Sequence, residues 1–213
     1  MNIRDERREA AIGRMADHLL REGLAGASLR PLAAAAGTSN RMLLYYFADK
    51  DELLSVTLGH VASRLARLLD EAERGRTPLS FPTLLAQVWA SVRSPALQPY
   101  MRLWLELAAS AARGQEPHRA IAGRIADGFL AWTAERLHVD READRAPQAA
   151  LLLATVDGLT LLDAVGRGDV ADRAVSPHGT PCVSGGENPR VNGACYAGSD
   201  GLVGQVPQRL CAG

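Results

Sequence analysis

Apolar residues recur along this chain at intervals of three and four, and rarely at intervals of two. That period follows one face of an α-helix, whereas a half-buried strand alternates. Ala, Leu, Arg and Glu, all good helix formers, dominate up to about Ala174, and no Asn-Gly hairpin signal interrupts that stretch. The pattern predicts an all-α chain of about nine helices. The first runs roughly from Asp5 to Glu22, with Ala11, Met15 and Leu19 on one face and Gly23 as its stop. A short second helix, Leu29–Ala36, follows Ser28 as N-cap, tolerates Pro31 in its first turn and ends at Gly37. A shorter third, Asn40 to about Phe47, follows Ser39. Asp49 then caps a long fourth helix with a stripe of Leu54, Leu58, Val61, Leu65 and Leu68.

After a Pro-containing loop over 75–82, four more long segments read as helices: about 83–93, 96–112, 117–137 and 147–165, then a short one over 170–175. All three tryptophans fall in this half. Trp89, Tyr100, Met101, Trp104, Phe129 and Trp132 are candidates to line an aromatic cavity for a small, largely apolar effector, or else to form ordinary core. Glu106, His118 and Asp157 are the polar groups that could orient such a molecule. The segment QAALLLATVDGLTLLDAVG is apolar almost all round and needs cover on both sides. Leu152, Val156, Leu159 and Leu162 are therefore expected at a subunit interface, the alternative being burial within a monomer.

At Ser176 the composition changes: Gly, Pro and all three cysteines (Cys182, Cys195, Cys211) replace the apolar period. Such a segment offers too little apolar surface to offset its ordering entropy, so 176–213 is expected to be a disordered tail. The cysteines lie more than ten residues apart and lack the paired spacing of a metal site, and no cofactor or metal is expected. The chain of 213 residues has a net charge of +0, so any claim of nucleic-acid binding must rest on a local motif. The polar start from Arg4 to Glu9 lacks an apolar signal core, and the most apolar stretch is short of the roughly 20 residues of a membrane span. Both point to a cytoplasmic protein with no membrane partner. No Gly-rich phosphate loop, GxSxG or HExxH appears, and the 5 His are scattered, so no catalytic residues are assigned and an enzyme is not expected.

The local motif lies in SLRPLAAAAGTSNRMLLYYFADKDELL, Ser28 to Leu54. Two short helices joined by a tight Gly-containing turn suit a helix-turn-helix. Leu32, Leu43 and Phe47 fill the core beneath it, and Ala33 and Gly37 are small where the helices cross. Asn40, Arg41, Tyr45 and Tyr46 lie between the buried positions of the third helix, whose N-terminal end can reach base edges in a major groove. The run GTSNRMLLYYFADKDELL resembles the signature of the TetR/AcrR family of regulators, with Gly37, Ser39, Leu43, Tyr45, Phe47, Lys50, Glu52 and Leu53 matching as they stand. Leu44 departs from it, standing where the family usually has Tyr and removing one backbone contact.

The resemblance implies a DNA-binding domain over 1–50 and a ligand-binding and dimerisation domain over 51–175. It implies phosphate contacts from Ser28, Tyr45 and Lys50. Arg30, Thr38, Asn40, Arg41 and Tyr46 would face the groove, with Ser39 at the turn. It also implies a homodimer on a pseudo-palindromic double-stranded operator, acting as a repressor released by a small-molecule effector. Two alternatives stay open: a helical dimer that binds a ligand without specific DNA binding, and an activator of the same fold.

Overall fold

A computed structural model describes residues 3–73 and 77–176. All of them belong to one compact unit. Its α-helices are α1 (Ile3–Glu22), α2 (Leu29–Ala36), α3 (Asn40–Tyr46), α4 (Lys50–Glu73), α5 (Phe81–Val92), α6 (Gln98–Ala112), α7 (His118–Arg136), α8 (Arg145–Ala164) and α9 (Gly168–Val175). The all-α expectation therefore holds for the described residues. The one β feature among them is an isolated bridge between Leu79 and Leu137, which ties the start of α5 to the end of α7. The expected tail from 177 onward, with its three cysteines, lies outside the described residues. No helix among those residues is long and apolar enough to cross a membrane.

Local chemistry sets the first turns. Gly37 sits at φ 69° and ψ 35°, a left-handed conformation that a Cβ disfavours. Its N–H donates to the Ala34 carbonyl at 3.0 Å and the Thr38 N–H to the Ala33 carbonyl at 2.9 Å, closing α2 with a Schellman motif. The glycine thus serves the turn, and the close crossing is left to Ala33 and Ala36, both buried. Ser39 caps α3, its side chain accepting from the Met42 N–H at 3.2 Å. Ser28 occupies the N-cap of α2 but makes no capping bond with its side chain. At the head of α4, Asp49 accepts from the Glu52 N–H at 2.7 Å while the Glu52 carboxylate accepts from the Ala48 N–H at 2.5 Å. This reciprocal pair is a variant of the capping box.

The short helices rest on α1 and α4 through Ile12, Met15, Leu19, Leu32, Leu43, Phe47, Leu53 and Leu54, each 2% exposed or less. The stripe of α4 continues through Leu58, Val61 and Leu65 and then drifts: Leu69 is 5% exposed and Leu68 is 36% exposed. The sequence expectation had Leu68 in the stripe. A spacing of four keeps pace with an untwisted helix better than another three, because 3.6 residues complete a turn.

A joint on α6 helps connect the first helices to the rest. Gly23, at φ 68° and ψ −165°, turns the chain out of α1 into a 3-10 turn, Leu24–Gly26. The Leu24 N–H donates to the Glu106 carboxylate of α6 at 2.6 Å. A Cβ at position 23 would lie within 2.4 Å of the same carboxylate. Gly23→Ala is therefore expected to cost about 1–3 kcal/mol through backbone strain alone, read as a lower urea midpoint. Combining it with Glu106→Ala should recover the steric share and leave the conformational share, so the two changes will not add.

Candidate functional site

Two surfaces concentrate functional chemistry. The first is the outer face of α2 and α3. Ser28, Arg30, Ser39, Asn40, Arg41 and Lys50 are exposed, Thr38 and Tyr46 are half-buried, and Tyr45 is 61% exposed. The Tyr45 and Tyr46 rings meet edge-on, centroids 5.7 Å apart. Met42 and Leu44 are exposed beside them, while the inner face of the helix buries Leu43. Serines or lysine stand at the N-terminal ends of α2, α3 and α4, where unpaired backbone N–H groups favour anions. Arg14 of α1 braces this face by donating to the Ala36 carbonyl at 3.1 Å, and Arg8 stacks 4.7 Å from the centre of the Phe47 ring. The arrangement presents a polar, aromatic, donor-rich helix on a rigid base.

The second is a cavity of about 90 Å³ between α4, α5, α6, α7 and α8. A single water needs roughly 10–15 Å³ on the same measure, so there is room for a small molecule. Tyr100, Met101 and Trp104 enter from α6 and Phe129 and Trp132 from α7. Leu58, Val61 and Leu65 of α4 and Leu152 and Val156 of α8 complete much of the wall. Asp157 is the one carboxylate of the lining among the described residues. Burial pushes its pKa up, opposed by a hydrogen bond from the Trp104 indole N–H at 3.0 Å.

The model of the bacterial regulatory proteins of the tetR family matches residues 16–57, from mid-α1 into α4. The regulator PksA of Bacillus subtilis (strain 168) is 29% identical over 147 residues, covering 67% of this chain and 71% of that protein. The regulator BetI of Paraburkholderia phytofirmans is 31% identical over 106 residues, 49% of this chain and 54% of that protein. A putative TetR-family regulator from Rhodococcus sp. shares the fold with a TM-score of 0.65 at 24% identity, over 80% of this chain and 95% of that one. These likenesses support a TetR-family regulator, the family model being carried by residues 16–57. The chain's relatives are transcription regulators, not enzymes.

Five of the six aromatic and sulfur side chains expected from sequence line this cavity together, and Trp89 does not. Trp89 is buried elsewhere, its indole N–H donating to Asp172 at 3.0 Å and so fastening α9 to α5. Glu106 and His118 also lie away from the cavity. Glu106 holds the Leu24 amide, and His118 Nδ1 lies 2.6 Å from the Ser110 hydroxyl, its pKa lowered chiefly by burial. The interface residues expected on α8 need the largest correction. Leu152, Val156 and Leu159 are buried in their own subunit, Leu152 and Val156 as cavity wall, and Leu162 is half-buried. The outward row is Leu151, Ala154, Gly158, Leu161 and Val165, spaced three and four apart, with Leu151, Leu161 and Val165 more than half exposed. Periodicity marks two apolar faces on this helix without saying which one the subunit's own core takes. The lining from α4 and α8 escaped sequence reasoning for a similar reason: aliphatic residues at helical spacing look the same against a cavity and against a filled core.

The Asp157 carboxyl binds its proton more tightly in the fold than in the unfolded chain, because burial raises its pKa. The folded state therefore holds more protons between the unfolded and folded pKa values, and stability falls as pH rises through that window. Asp157→Asn, which keeps an acceptor for Trp104, is expected to raise the thermal midpoint at pH 7. The gain should shrink to nothing below the ordinary aspartate range. A variant equally stabilised at both pH values would trace the effect to packing instead of charge.

Proposed function

We propose that this protein is a ligand-responsive transcription regulator, most simply a cytoplasmic repressor released from a pseudo-palindromic operator by a small effector. The observation that carries this reading is the coexistence in one unit of a helix-turn-helix with an exposed donor-rich face and a separate, apolar, aromatic-walled cavity. Residues 1–50 serve DNA and 51–175 serve the ligand and the dimer. In this reading Ser28, Tyr45 and Lys50 hold phosphates, while Arg30, Thr38, Asn40, Arg41 and Tyr46 face the groove. Phosphate contacts set register and base contacts choose the site.

The outward row of α8 is the surface we assign to a second copy. A contiguous apolar stripe on a long helix needs cover, and its small residues Ala154 and Gly158 let a partner helix approach closely. A two-fold pair would set two α3 helices on successive major-groove turns, roughly 34–36 Å apart. Regulation follows from the joint. The α6 helix lines the cavity with Tyr100, Met101 and Trp104 and, two residues on, grips the Leu24 amide through Glu106. A ligand that prefers a displaced α6 shifts the population away from the DNA-competent spacing, with typical couplings of about 1–3 kcal/mol.

Fluorescence anisotropy on the DNA upstream of the protein's own gene tests the reading. Wild type should bind it specifically. Lys50→Ala should weaken all sequences alike and flatten the salt dependence by about one counterion. Arg41→Ala should cost about 1–3 kcal/mol and relax preference at one base pair. Salt-sensitive binding with no preference over random DNA would sink the regulator reading. Sedimentation supplies the test of assembly: Leu161→Asp should turn a dimer into a folded monomer and abolish specific binding, whereas an unchanged dimer would place the interface elsewhere.

A further inference from the structure

The three tryptophans of this protein are built alike, with one difference. Each indole N–H donates to an aspartate: Trp89 to Asp172 at 3.0 Å, Trp132 to Asp70 at 2.8 Å and Trp104 to Asp157 at 3.0 Å. In the first two, an arginine completes the group. Arg93 donates to Asp172 at 2.7 Å and lies 5.7 Å from the Trp89 ring centre. Arg136 donates to Asp70 and lies 4.1 Å from the Trp132 ring centre. A cation thus bridges carboxylate and indole face in both, within the roughly 6 Å over which a ring attracts it.

Among the described residues the third pair has no such cation. Burial and the Trp104 N–H act on the Asp157 carboxyl in opposite directions. Yet this is the most desolvated of the three aspartates, where an unpaired charge is least tolerable. It is also the one that lines the cavity, together with the rings of Tyr100, Trp104, Phe129 and Trp132, and no Lys, Arg or His side chain shares that lining.

Resting on the reading of this cavity as the effector site, we propose that the effector is an organic cation with an apolar body. Its ammonium-type centre sits against Asp157 and the neighbouring rings, in the place an arginine takes at the other two tryptophans. The body fills the aliphatic space between Leu58, Leu65 and Leu152. A neutral ligand of the same shape would leave Asp157 uncompensated, and an anionic one would be repelled by it. The charge selectivity therefore resides in a single carboxylate and can be removed without altering the walls.

Two isosteric probes separate charge from shape: benzyltrimethylammonium and neopentylbenzene, in which carbon replaces the nitrogen. Both are titrated into the full-length protein, followed by tryptophan fluorescence, since Trp104 and Trp132 line the cavity. Wild type should bind the cation about tenfold or more tightly than the hydrocarbon, the scale of a desolvated cation–π and carboxylate contact. Asp157→Asn should erase that preference, chiefly by weakening the cation. The wild-type comparison stands without the variant, so a misfolded variant does not blunt the test. Saturable binding of the hydrocarbon equal to or tighter than that of the cation overturns the assignment of charge and leaves the cavity as an effector site. Failure of both probes to bind at millimolar concentration removes the effector reading together with it.

Discussion

Helices of eight and seven residues do not persist alone in water, where fewer than about 12–15 residues are marginal. The α2–α3 pair therefore exists only because α1 and α4 lend it a core. Leu32, Leu43 and Phe47 are completely or nearly completely withdrawn from solvent against Ile12, Met15, Leu53 and Leu54. Everything exposed on α3 is free to be polar because its inner side has already satisfied the hydrophobic requirement. The Schellman turn at Gly37 and the caps at Ser39 and Asp49 then fix the angle at which that polar side is shown.

The same α4 that supports the short helices also walls the cavity with Leu58, Val61 and Leu65. The cavity and the short α2–α3 pair thus share one rigid element. A second link runs through α6, where Glu106 satisfies the Leu24 amide. That carboxylate meets a backbone N–H at a turn that only glycine can make comfortably, so the joint has little freedom to relax in place. Two connections between the same pair of regions restrict their relative motion to a few arrangements, which suits a switch better than a flexible hinge.

Charge is placed with matching economy. Where a tryptophan must be held, an aspartate and an arginine hold it, as at Trp89 and Trp132, and the pairs sit near solvent, where opposite charges cost little to retain. At Trp104 the aspartate faces inward without its arginine. The fold keeps a carboxyl there at some expense of stability, and sites that strain a local rule in this way tend to be functional ones.

Much of this was legible in the chain. Periodicity, Gly and Pro placement and cap residues located the nine helices of the described residues within a few positions, since those signals depend only on neighbours along the backbone. The polar positions of α3 were legible too, because a seven-residue helix has room for just one buried face. What sequence could not settle was which side of a two-faced helix meets its own core. Leu152, Val156 and Leu159 turned inward, leaving Leu151, Leu161 and Val165 outside. Nor could it tell Trp104, which borders a cavity, from Trp89, which anchors α9. Local spacing determined the helices and the exposed polar face of α3. Tertiary packing alone decided the direction of α8, the walls of the cavity and the partner of each tryptophan, because those depend on residues brought together from 53 to 83 positions apart.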